Sequence, residues 1–163
     1  MSNEVLIYSD GSSLGNPGPG GYGVIMKWKD QELKLSQGFR KTTNNRMELL
    51  GPIIALKKLK KSENVIITTD SRYVIDGIEK GWAKKWQQNN WMRDKKNEAL
   101  NSDLWKMLIE LCDYHLKVNF LWVKGHRGHV ENEECDLLAK NAASSNDLII
   151  DEKFELKEIA NER

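Results

Sequence analysis

The sequence predicts an α/β fold on a mixed sheet, and three observations carry that prediction. Short runs rich in apolar and β-branched residues recur five times, helical periodicities separate the later ones, and two of the predicted strands lead straight into an aspartate. The resulting order is β-β-β-α-β-α-α-α-β-α. Its first three strands make an antiparallel meander, and a helix-containing crossover joins the meander to the fourth strand. Crossovers of that kind are right-handed almost without exception.

Each element has a local reason. Val5-Leu6-Ile7-Tyr8 is a short buried-strand run that ends at Ser9-Asp10-Gly11, which places Asp10 at a strand terminus. After a glycine-rich loop, residues 22–28 and 32–39 read as two strands joined tightly through Lys29-Asp30-Gln31. Thr42-Thr43-Asn44 supplies N-cap chemistry for a helix whose apolar face includes Met47, Leu50, Ile54 and Leu59, with Glu48 in its early turns. Pro52 crowds the carbonyl of Glu48 and predicts a local kink; a helix starting at Pro52 fits the preceding caps less well. Val65-Ile66-Ile67-Thr68-Thr69 is a β-branched strand that ends at Asp70 much as the first ends at Asp10.

A helix from residue 71 to about 79 precedes a tryptophan-rich segment, Trp82 to Trp91. Leu104, Trp105, Leu108 and Leu111 mark a helix over 102–112, and residues 117–123 alternate as a strand. The turn Lys124-Gly125-His126-Arg127-Gly128-His129 leads to a final helix over 131–143 that carries Asp136. Residues 146–163 are a mixed tail, either docked on the domain or frayed.

At 163 residues the chain fits one domain, and 39% hydrophobic with 30% charged residues describes an ordinary soluble protein. A net charge of +1 excludes a uniformly basic surface, although Arg40-Lys41, Lys57-Lys58, Lys60-Lys61, Lys84-Lys85 and Lys95-Lys96 concentrate positive charge locally. Nothing in the chain reads as a leader or a membrane span, and Cys112 and Cys135 stand far apart without a CxxC pattern. Reduced thiols and a cytoplasmic location are therefore expected.

If the strands ending at Asp10 and Asp70 pair in parallel, both carboxylates face a crevice at their carboxyl ends. Carboxylates crowded there repel one another unless a cation neutralises them, and hard oxygen ligands suit magnesium or manganese. Two such ions about 4 Å apart stabilise the attacking and leaving oxygens of a phosphodiester. An aspartate after a strand is also a common turn former or helix cap, so spacing alone leaves a metal site and a pair of caps as open alternatives. Two other readings fail on context. Gly18-Pro19-Gly20-Gly21-Tyr22-Gly23 satisfies G-x-G-x-x-G, but a strand follows it where a dinucleotide site needs a helix. His126, His129 and Cys135 lack the fourth ligand and paired spacing of a zinc site.

The flanking residues are more specific. Asp10-Gly11-Ser12, Gly15-Asn16-Pro17-Gly18-Pro19-Gly20-Gly21-Tyr22-Gly23, Thr42-Thr43-Asn44-Asn45-Arg46-Met47-Glu48-Leu49, Thr69-Asp70-Ser71, Trp122-Val123-Lys124-Gly125-His126 and Glu131-Asn132-Glu133-Glu134-Cys135-Asp136 closely resemble the bacterial type 1 ribonuclease H family. The matches run in order from about residue 4 to residue 143. The resemblance implies a ribonuclease H-like fold, with a mixed five-stranded sheet flanked by helices, and a catalytic domain over 1–145 followed by a C-terminal tail over 146–163. It implies an endonuclease that hydrolyses the RNA strand of RNA–DNA hybrids with little sequence specificity, leaving 5′-phosphate and 3′-hydroxyl ends. Two Mg2+ ions, with Mn2+ as a substitute, would be held by Asp10, Glu48, Asp70 and Asp136, with Asp10 bridging, Glu48 and Asp70 completing one site and Asp136 the other. His126 matches a loop histidine that moves protons or assists product release.

The same resemblance places Gly11, Asn16, Asn44, Asn45 and the residue at Arg72 along the minor groove, where 2′-hydroxyls distinguish RNA from DNA, and gives Thr43 a DNA phosphate. Asn44 and Asn45 also suit plain helix capping. Arg72 departs from the family's usual glutamine, losing an acceptor and adding a fixed charge, and Ser13 stands where cysteine is frequent. Trp82, Trp86 and Trp91 fall in the family's basic substrate-binding handle, with at least one of the three expected to pack in the core. Gln87-Gln88-Asn89-Asn90 replaces residues that are often basic there, which predicts weaker binding and a flatter salt dependence. The implied partner is a hybrid duplex bound by a monomer, with no membrane involved. The alternatives are a module that binds hybrids without cutting, or another nuclease of the same superfamily.

Overall fold

Alternating apolar residues build the central sheet, and the computed structural model, which describes residues 3–125 and 128–161, arranges them in six strands. β1 (Val5–Ser13), β2 (Gly18–Trp28) and β3 (Gln31–Thr42) form the expected antiparallel meander. β4 (Asn64–Thr69) pairs in parallel with β1, and β5 (Lys117–Trp122) in parallel with β4. A two-residue strand, β6 (Leu148–Ile149), lies parallel to β3 and gives the order β5-β4-β1-β2-β3-β6. Six strands replace the predicted five because a pair of residues is too short to carry a period-two signal.

The helices follow the predicted order: α1 (Asn44–Lys58), α2 (Arg72–Glu79), α3 (Trp82–Gln88), α4 (Ser102–Tyr114) and α5 (Val130–Ala143), with α6 (Glu152–Asn161) added in the tail. Thr43 is the N-cap of α1, its Oγ1 accepting the Arg46 N–H at 3.2 Å, so Asn44 is the first helical residue and not the cap. The helix continues through Pro52, which excludes a start there. Ser71 caps α2 in the same way by accepting the Val74 N–H.

Two further expectations need correction. Asp10 does not end its strand: β1 continues to Ser13, with Asp10 opposite Gly23 of β2. The parallel ladder with β4 stops one residue earlier, at Ser9 and Thr69, so Asp10 is the first residue that β4 leaves uncovered while β2 still pairs it. The glycine-rich stretch from Gly18 is likewise strand and not loop. Its glycines serve packing, as the two sheet faces show.

Neighbouring strand residues point to opposite faces. Toward one face Val24 meets α1 at Gly51, and there α1 and α4 cover a core that includes Ile7, Val24, Met47, Ile53, Leu56, Ile67, Trp105 and Leu108. Trp105 is wholly buried, with its Nε1 donating to the Tyr73 hydroxyl at 3.0 Å, which satisfies the one polar atom of the largest core side chain. Toward the other face Gly21 and Gly23 lie beneath α5, where Cys135, Ala139 and Ala143 are small enough to let helix and sheet approach closely. A Cβ on Gly23 would sit 2.3 Å from the Cys135 carbonyl oxygen. That close approach brings α5, and Asp136 with it, down onto β1 and β2.

Candidate active site

The end of the parallel ladder and the early turns of α1 bring three carboxylates together. Asp10 on β1, Glu48 on α1 and Asp70 after β4 each offer an oxygen, and these atoms all lie within 4.8 Å of one another. Gly11 makes the approach possible, since a Cβ there would stand 2.4 Å from the Glu48 backbone nitrogen. Its N–H also donates to Asp10 Oδ1 at 2.9 Å. Asp10 and Glu48 are buried, and Glu48 Oε2 has no hydrogen-bond partner within the protein. A buried carboxylate oxygen left without a donor is costly unless something else meets it.

Electrostatics say the same. Burial first, then the charges of Asp70 and Asp136, push the Asp10 carboxyl from 3.8 up to about 8. Glu48 is raised well above the usual carboxylate range by burial and by Asp10 and Asp70, against the opposing hydrogen bonds of Gly11 and Asn44. Three hard oxygen donors, an orphaned buried oxygen and carboxyls that hold protons for want of positive charge fit a divalent cation. Helix capping, the alternative for Asp10 and Asp70, is not what these residues do: Thr43 and Ser71 are the caps.

Asp136 stands slightly apart. It is not in the tight trio but is tied to Asp10, whose carboxyl its charge and a side-chain hydrogen bond help to raise. Lys140, one turn further along α5, holds the other side of Asp136 at 3.0 Å. Asp10 is therefore common to both groupings. Lys140 is not among the residues the sequence singles out, although its i,i+4 spacing from Asp136 is a signal that could have found it.

Around this centre the other predicted residues separate into those placed beside it and those used elsewhere. Asn16 Oδ1 accepts the Asn44 N–H at 3.1 Å, which fixes the loop before β2 to the start of α1; Thr43 and Asn44 are half-buried and Asn45 is exposed. Arg72 is exposed, but its head group is held in place. Its guanidinium lies 4.8 Å from the centre of the Trp122 ring and bonds Asp76 at 3.0 Å. Trp122 in turn donates from Nε1 to the Asp70 carbonyl at 3.1 Å, so it steadies the Asp70 backbone, a role the sequence did not announce. Gly125 lies against the Asp70 carboxylate, where a Cβ would come within 2.7 Å of Oδ2. His126, next in the chain, lies outside the described residues.

The tryptophans of residues 82–91 differ in their surroundings, and at least one packs on the core as expected. Trp86 packs edge-on against buried Trp105 with ring centres 6.2 Å apart, whereas Trp82 is exposed with the Lys80 ammonium 5.5 Å from its ring. No described helix is long and apolar enough to cross a membrane.

Comparisons with known proteins place the chain in a family and a fold. The sequence profile of the RNase H family matches residues 2–144. The ribonuclease H of Desulforamulus reducens is 58% identical over 148 residues, covering 91% of this chain and 92% of that protein. That of Rippkaea orientalis is 51% identical over 156 residues, covering 96% and 95%. Among solved structures, the crystal structure of LC9-RNase H1, described as a type 1 RNase H with the type 2 active-site motif, is 34% identical with a TM-score of 0.76, covering 88% of this chain and 73% of that one.

Proposed function

The chain belongs to the ribonuclease H family, and from that premise we propose that it hydrolyses the RNA strand of RNA–DNA hybrids with Asp10, Glu48, Asp70 and Asp136 as ligands of two Mg2+ ions. The observation that carries the reading is the convergence of three carboxylates from three separate elements on one point at the end of the β1–β4 ladder. Asp10, near both that trio and Asp136, would serve both ions, with Glu48 and Asp70 completing one site and Asp136 the other; the grouping of the carboxylates supports this division. Bound divalent ions supply charge neutralisation and an activated water at the scissile phosphate.

The protein's own residues prepare the site. Without metal, Asp10 keeps a proton near neutral pH, so loading the site means releasing that proton. Lys140 keeps Asp136 oriented toward Asp10, while Trp122 fixes the strand end that carries Asp70. Thr43, Asn44 and Asn45 at the start of α1, with Gly11 and Asn16, face the hybrid; amide groups of Asn16, Asn44 and Asn45 meet minor-groove hydroxyls, and Thr43 a DNA phosphate. Arg72, stacked on Trp122, acts as a phosphate-attracting cation in place of an amide reader. Trp82 offers an exposed aromatic face to the DNA strand, and Trp86 supports it from the core side. His126 moves protons or assists release of the cleaved strand. The enzyme works as a cytoplasmic monomer with reduced cysteines, burial having pushed the Cys112 and Cys135 thiols up to about 12.

A labelled hybrid incubated with the full chain in magnesium tests the reading. Cleavage confined to the RNA strand, with 5′-phosphate products and loss of activity on chelation, is the expected result. Binding without cleavage, or equal cutting of double-stranded DNA, overturns it. The handle gives a second expectation. Gln87→Lys together with Gln88→Lys should lower KM and steepen its salt dependence by about one unit of log–log slope for each further phosphate neutralised. An unchanged slope in a salt titration removes that segment from the duplex interface.

A further inference from the structure

The tail beyond the family match reaches the start of α1 through one carboxylate. Asp151, immediately before α6, is buried, and its Oδ2 accepts from the Thr42 hydroxyl and from Arg46 Nε, both at 2.7 Å. Its Oδ1 accepts from Arg46 Nη2 at 3.1 Å and from the Phe154 N–H at 3.4 Å. Arg46 has no freedom left. Nη1 and Nη2 also bond Asp103 of α4 at 2.9 and 2.7 Å, and Nη1 reaches Asn101 Oδ1 at 3.3 Å, so all five guanidinium N–H donors are engaged.

Thr42 and Arg46 lie on either side of Thr43, Asn44 and Asn45. One is the last residue of β3 and the other lies in the first turn of α1, whose N–H the Thr43 hydroxyl caps. A single carboxylate thus grips both ends of the segment assigned to the hybrid. Asp103 alone would anchor Arg46 but leaves Thr42 untouched.

We propose that Asp151 is a positioning residue for substrate binding: by holding Thr42 and Arg46 at a fixed separation it sets the orientation of Thr43, Asn44 and Asn45 toward the hybrid. The proposal rests on the reading of those three residues as hybrid contacts. It gives the tail a part in binding that neither the sequence pattern nor the matched residues 2–144 assign. A carboxylate is needed because Arg46, a donor only, bonds both oxygens, so an amide in either orientation turns its NH2 toward a guanidinium N–H, loses that contact and loosens the grip shared with Thr42.

The test measures KM, kcat and melting temperature on a labelled hybrid for the full chain carrying Asp151→Asn, Thr42→Val, Thr43→Ala, and Asp151→Asn combined with Thr43→Ala. Asp151→Asn and Thr42→Val are each expected to raise KM about fivefold, the scale of one net hydrogen bond, with kcat within about twofold of the parent. The double variant should raise KM by less than the product of the two single effects, because both changes act on one arrangement of which Asn44 and Asn45 remain. Thr42→Val keeps every ion pair and carries the test if Asp151→Asn fails to fold. An unchanged KM in both Asp151→Asn and Thr42→Val, while Thr43→Ala raises it, overturns the proposal, as does strict additivity in the double variant. A lowered melting temperature with KM untouched assigns Asp151 to stability alone and also overturns it. If Thr43→Ala, and Asn45→Ala measured beside it as a further single variant, both leave KM unchanged, the reading of the α1 start as a hybrid contact fails instead.

Discussion

Replacing Asp10 by asparagine is expected to lower kcat on a hybrid by about a thousandfold or more, the equivalent of about 4 kcal/mol of transition-state stabilisation, and to make the metal-free protein more stable at alkaline pH. The first effect follows from position. Asp10 is the one carboxylate shared by the Glu48–Asp70 grouping and Asp136, so its loss disables both proposed ion sites at once. The second follows from charge. The folded protein holds the Asp10 proton more tightly than the unfolded chain does, with the carboxyl raised from 3.8 to about 8. Below about pH 4 both states are protonated and the group contributes no difference. As pH rises toward 8 the unfolded chain releases the proton freely while the folded site resists, so wild-type stability without metal falls across that window.

The asparagine variant lacks the Asp10 titration and relieves part of the charge that raises Glu48, so its advantage should grow to about 1–2 kcal/mol near pH 9. Melting curves in chelator across that pH range read the effect directly. Magnesium should then reverse the ranking, because an ion bound only by the folded state stabilises the wild type more than a variant lacking the Asp10 carboxylate proposed to hold it. Retained activity would remove Asp10 from the site, and parallel stability–pH curves would remove the repulsion among these carboxylates as a cost of folding.

How much of this is legible in the sequence depends on how local each feature is. The runs ending near Asp10 and Asp70 announce themselves, because strand periodicity and a following polar residue are neighbours in the chain. Their parallel pairing follows from element order. Glu48 and Asp136 have no such signal: each sits on a helix where an acidic residue is ordinary, and only the surrounding motif joins them to the aspartates. Where strand ends are misplaced, the cause is a partner strand. Asp10 looks terminal because β4 stops at Thr69, but β2 continues beside it to Gly20. Asp151 and β6 are illegible for a similar reason, since a lone aspartate and two apolar residues in a mixed tail acquire meaning only from Thr42, Arg46 and β3 across the fold. Trp86 is ambiguous in the sequence, because helical spacing serves a core contact and a binding face equally, and the structure gives it the core contact.

The glycines of β2 show the same limit with the largest structural consequence. Gly23→Ala is expected to destabilise the protein by about 3 kcal/mol and to reduce hydrolysis beyond what the unfolded fraction explains. An added Cβ would stand 2.3 Å from the Cys135 carbonyl oxygen, 2.7 Å from Leu138 Cβ and 2.9 Å from the Ala139 nitrogen. None of these is the far end of a flexible side chain, so the strain is relieved only by moving α5 away from the sheet. Gly23 is also the β2 partner of Asp10, and Cys135 immediately precedes Asp136. A retreat of α5 therefore acts on the link between Asp10 and Asp136, the residues proposed to serve the second ion site. Denaturant midpoints measure the stability term, and kcat measured where the variant is fully folded isolates the geometric one. A midpoint shift worth less than about 0.5 kcal/mol would show that the close contact is soft. Normal kcat in a destabilised but folded variant would show that Asp136 does not depend on how closely its helix approaches β2.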